Sequence, residues 1–126
     1  MNKSLLTVSA VVEVGAGALL LTVPAMFVAL LIGGTLDSPG ALAVARLAGA
    51  ALLTIGFICW FSSRDPGSRT AAGVVGALVF YNAAAVGVLL YARLGMDLSG
   101  PGTLPAIVLH AGLAAWCLAC VRRPAA

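Results

Sequence analysis

Residues 5–32 read LLTVSAVVEVGAGALLLTVPAMFVALLI. The run is longer than the ~20 apolar residues that cross a bilayer, and Pro24 interrupts it. Proline removes a backbone donor and clashes with the preceding turn, yet it suits the first position of a new helix. Thr22-Val23-Pro24 therefore reads as a stop and a restart: a span over about 5–22, then a short helix over about 24–32. Met26, Phe27, Leu30 and Leu31 give that short helix an apolar face, which would lie in the membrane interface or tuck against the other helices. The same residues also allow one long, tilted and kinked helix. Val23-Pro24-Ala25 loosely imitates a signal-peptide cleavage site. The run is too long for a signal peptide, however, and it carries Glu13 where an uninterrupted apolar core would be needed.

Further apolar stretches follow at about 41–62, 70–93 and 104–121. They are separated by turn-forming clusters: Gly33 to Gly40, Ser62 to Gly67, and Asp97 to Gly102. No strand-type alternation occurs. The expected fold is all-α: a polytopic membrane protein, a four-helix transmembrane bundle with a short extra helix after the first span. Composition agrees. Hydrophobic residues make up 62% of the chain and charged ones 9%. A soluble domain carries about 25% charged residues, so this chain cannot clothe a surface facing water. One membrane domain over residues 1–126, with no soluble appendage, is expected.

The net charge is +3. Its basic residues lie mostly at segment ends, a pattern that sets orientation in a bilayer rather than making a continuous face for nucleic acid. Lys3, Arg64, Arg69, Arg122 and Arg123 fall on one side of a four-span arrangement, and only Arg93 flanks a span on the other. Both termini and the middle loop are thus expected in the cytoplasm. Trp60 and Trp116 would sit near that interface and Tyr91 near the outer one. Asp37-Ser38-Pro39-Gly40 and the Asp97–Gly102 loop resemble each other, which fits either an old hairpin duplication or common turn vocabulary.

Glu13, Arg46 and His110 are the strongly polar ionisable side chains inside the apolar stretches. Such groups are costly in hydrocarbon, so each needs a partner or a purpose. At 1.5 Å per residue, Glu13 lies roughly 13 Å from either end of its span, and Arg46 and His110 roughly 8–10 Å from the outer ends of theirs. Asn82, next to Tyr81, is near the middle of the third span. Glu13, Arg46, Tyr81, Asn82 and His110 are therefore the candidate ligand or proton cluster. Small residues on the same faces, with Gly17 near Glu13, Gly49 near Arg46, and Ala106 and Ala114 around His110, would let the helices approach closely. Ala41, Ala45 and Gly49 form a small-residue ladder of the same kind. Two functions fit the cluster: a ligand site in which Glu13 handles a proton or cation and His110 relays protons, or a packing device with a Glu13–Arg46 pair and amide and imidazole glue.

Cys59, Cys117 and Cys120 all fall near the cytoplasmic ends of their spans, with Cys117 and Cys120 on one helical face. They are weak candidates for a soft metal and read more simply as small packing residues. The chain has no GxSxG, HExxH or P-loop. Its one histidine cannot supply both axial ligands of a haem within one chain, although a homodimer would supply a second. No catalytic residue, cofactor or metal is assigned. The leading expectation is a non-enzymatic membrane protein that binds a small molecule or lipid, or couples protons to its passage. A structural or accessory subunit, and an enzyme acting on a lipid or quinone with His110 and Glu13 as acid and base, are the alternatives. The partners expected are the bilayer, the ligand, and a second copy or another membrane protein through the small-residue faces.

Glu13, the Ala45-Arg46-Leu47-Ala48-Gly49 stretch, Cys59-Trp60, Tyr81-Asn82 and Leu109-His110 together resemble a group of small bacterial four-helix membrane proteins. In general shape the chain is similar to DoxX-like proteins. The resemblance spans almost the whole chain and implies a bacterial inner-membrane location; it carries no established activity. Small multidrug resistance exporters are also short four-span proteins with a key glutamate in the first span, a placement Glu13 matches. Arg46, the missing aromatic pattern in the third span and the longer outer loops depart from that family.

Overall fold

The computed structural model describes residues 2–122; Arg123, counted above for orientation, lies outside them. Five helices follow one another: α1 (Asn2–Thr22), α2 (Pro24–Ile32), α3 (Pro39–Ser62), α4 (Arg69–Gly95) and α5 (Thr103–Val121). All but α2 are long and apolar enough to cross a membrane. Their outward faces are apolar, with Leu47, Phe80, Leu94 and Val108 all exposed.

The long helices begin one to three residues before the apolar stretches, and at α3 and α4 a serine cap sets the start rather than hydropathy. Ser38 accepts from the Ala41 N–H ahead of α3, and Ser68 accepts from the Ala71 N–H ahead of α4. The first apolar run does divide. Val23 leaves helical geometry at φ −131° and ψ 54°, and Pro24 opens α2. Gly33, left-handed at φ 69°, closes α2 by donating to the Ala29 carbonyl.

α1 packs most extensively on α3, and α4 on α5, with much sparser contact between the two pairs. The α1–α3 approach is backbone to backbone. A Cβ on Gly17 would lie 2.7 Å from both Gly49 O and Leu53 N, and one on Gly56 would lie 2.9 Å from Val14 N. These contacts fix an antiparallel register in which Arg46 is level with the end of α1.

Along its axis the bundle has two unlike halves. Toward the α1 N-terminus an apolar core joins Leu5, Leu6 and Ala10 with Cys59, Val75, Leu78, Leu113 and Cys117. At the other end α2 touches all four long helices and lies over the bundle. The Gly100–Thr103 loop clamps it there. Gly102 N–H donates to Leu30 O at 2.8 Å, and the Thr103 hydroxyl donates to Leu31 O at 2.6 Å. These bonds satisfy carbonyls that a helix C-terminus otherwise leaves free. Asp97, at φ 54°, turns the chain out of α4 into that loop.

Candidate functional site

Glu13 projects from the buried stripe of α1, with Ser9 and Gly17 one turn to either side. It is 1% exposed. Its partner is on α4: the Tyr81 hydroxyl donates to Glu13 Oε2 at 2.8 Å. Asn82, also 1% exposed, donates through Nδ2 to Leu78 O at 2.8 Å, one turn back on its own helix. That bond orients the amide and turns Oδ1 toward α5, where His110 Nδ1 lies 2.8 Å away. An amide oxygen only accepts, so His110 Nδ1 carries the hydrogen; in the neutral form of the ring the lone pair is then on Nε2. The Tyr81 and His110 rings meet edge to face, 5.8 Å between centroids and 81° between planes.

Glu13, Tyr81, Asn82 and His110 thus form one cluster drawn from α1, α4 and α5. Arg46 does not join it, and the expected Glu13–Arg46 ion pair is not formed among the described residues. The α1–α3 register sets Arg46 roughly 13 Å along the axis from Glu13. Arg46 also lies about 100° around α3 from Ala45. The packed stripe of α3 is Ala45, Gly49, Gly56 and Cys59, and Arg46 is exposed.

The cluster forms the floor of a cavity of about 470 Å³ between the helix pairs, beneath α2. Glu13, Tyr81 and His110 line it; Phe27 and Leu31 of α2 form its roof, and Val88 and Ala106 stand in its walls. Neither Glu13 Oε1 nor His110 Nε2 takes part in a hydrogen bond with the described residues.

Sequence reasoning missed Ser9 and the role of α2. Ser9 is 1% exposed and its hydroxyl has no hydrogen-bond partner among the described residues; its place four residues before Glu13 was the available signal. Phe27 and Leu31 could be read as an apolar face, but not as the roof of a site. Cys59, Cys117 and Cys120 are free and buried, and no group of three His, Cys, Asp or Glu side chains able to hold a metal occurs among the described residues.

No family model matches the chain, and no curated protein or solved structure matches it either.

Proposed function

We propose that this chain is a non-enzymatic integral membrane protein that holds a small ligand in the cavity beneath α2. One observation carries this reading: Glu13, Tyr81 and His110 meet on the floor of an otherwise apolar cavity and keep unused hydrogen-bonding positions there. A cluster serving packing alone would be fully paired, since an unpaired buried polar group is costly. Buried apolar side chains pack on the far side of the cluster, which favours binding over free passage.

The test is co-purification. Wild type and Glu13→Gln, prepared side by side in detergent, should differ in extracted small molecules by mass spectrometry. One species should be depleted about tenfold in the variant, the factor that 1.4 kcal/mol of lost binding produces. Identical extracts would sink the proposal.

A scaffold role has one observation in its favour. The Tyr81–Glu13 bond ties together helix pairs that otherwise touch sparsely. Binding and bracing are compatible in one cluster.

The orientation proposed places the α1 N-terminus, the 62–68 loop and the α5 C-terminus in the cytoplasm. Lys3, Arg64, Arg69 and Arg122 gather at that end, as the positive-inside rule requires. Arg64 stands 5.9 Å from the Trp60 ring there, a cation–aromatic pairing suited to an interface. Reporter fusions within 62–68 should read cytoplasmic, and fusions near Asp37 and Ser99 external. An external signal from the 62–68 loop would overturn this topology.

A further inference from the structure

We infer that the cavity takes a hydrophobic amine as its ammonium ion, with the head on Glu13 and His110 and the apolar body beneath α2. This deepens the ligand-binding reading above and rests on it. The donor inventory of the floor leads to it. Tyr81 has one hydroxyl hydrogen and gives it to Glu13 Oε2, leaving only lone pairs on its oxygen. Asn82 gives Nδ2 to Leu78 O and takes the His110 Nδ1 hydrogen on Oδ1. With Glu13 as the carboxylate and the imidazole neutral, what the lining side chains have left accepts hydrogen bonds: Glu13 Oε1, the Tyr81 oxygen and His110 Nε2. An ammonium group carries three donors and no acceptor, which complements such a floor. A quinone or a carboxylate would bring acceptors to acceptors.

Charge points the same way. A carboxylate in a low-dielectric site requires a positive partner or a proton. Among the described residues Arg46 was the candidate partner, and it stands at another depth and on an exposed face. If Glu13 is protonated before binding, a neutral amine completes the same pair. The Glu13 O–H bond breaks, its proton bonds to the amine lone pair, and carboxylate and ammonium result with no other reactant. The walls set the rest of the ligand. Phe27, Leu31, Val88 and Ala106 offer only apolar surface, so the molecule has one polar end. The volume of about 470 Å³ falls within the ~300–1,000 Å³ usual for small-molecule sites.

Three probes of one shape separate the classes: 4-phenylbutylamine, 4-phenylbutanol and 4-phenylbutyrate. Each is titrated calorimetrically into the full chain in dodecylmaltoside at neutral pH, where the amine is the ammonium ion. The amine should bind at least about tenfold more tightly than the alcohol, with the carboxylate weakest. Glu13→Gln should lose that advantage while keeping alcohol binding. Ala106→Phe, which fills the cavity and leaves the floor intact, should lose amine binding; this arm stands even if Glu13→Gln does not fold. Equal affinity for amine and alcohol, or preference for the carboxylate, overturns the amine assignment and leaves the cavity as a binding site. Failure of all three probes to bind, or amine binding that survives Ala106→Phe, overturns the ligand-binding reading as well.

Discussion

Gly17→Ala should destabilise the fold by about 1–3 kcal/mol, the usual cost of forcing a methyl group into a filled space. The added Cβ would lie 2.7 Å from Gly49 O and Leu53 N and 2.9 Å from Leu53 Cγ. Two of these atoms are backbone, so no side-chain rotation relieves the clash and the helices must separate. Separation forfeits close contacts along the most extensive helix pairing in the molecule, because dispersion falls steeply over a gap of ~0.5–1 Å. Gly15→Ala is the control. A Cβ there meets nothing within 4 Å, so its effect should stay within about 0.5 kcal/mol or be slightly favourable through helix propensity. Unfolding by SDS titration from dodecylmaltoside micelles would compare them. Equal midpoints for the two variants would mean that α1 and α3 do not cross at Gly17.

The same contacts explain what the sequence could and could not disclose. The break at Val23 was legible because proline acts locally: it fixes its own φ and withholds a donor whatever surrounds it. The polar cluster was legible in part because hydrocarbon is uniformly hostile to Glu13, Asn82 and His110, so facing inward was the expected choice for each. Partner choice is another matter. Periodicity gives the face of a residue on its own helix; it says nothing of the register between helices. That register depends here on where Gly17, Gly49 and Gly56 allow backbones to touch. Charge complementarity suggested Glu13 with Arg46, while the glycine contacts set the two apart and brought Tyr81 to Glu13 instead. The clamp on α2 was illegible for a similar reason. Thr103 and Leu31 are 72 positions apart, and neither residue advertises the other.

Tyr81→Phe should have opposite consequences in two backgrounds. In the wild-type chain it removes the hydroxyl that donates to Glu13 Oε2 at 2.8 Å. A carboxylate that is 1% exposed then loses its donor, at a cost of about 1–3 kcal/mol. In a Glu13→Leu background the hydroxyl is already orphaned, so its removal should be neutral or stabilising, since replacing both members of a buried polar pair by apolar groups costs little. The coupling between the two positions should accordingly reach about 1–3 kcal/mol, within the range for residues in direct contact. Arg46→Gln provides the contrast. Its side chain is exposed and away from the packed stripe of α3. Its effect on stability should therefore be the same, within about 0.5 kcal/mol, whether residue 13 is Glu or Leu. The three single variants and two doubles, measured by the same SDS titration, decide between the geometries. A large coupling of Glu13 to Arg46 with none to Tyr81 would reinstate the ion pair and overturn the register that the glycine contacts set. Coupling to Tyr81 alone would place the carboxylate where an amine in the cavity can reach it, with Arg46 not competing for its charge.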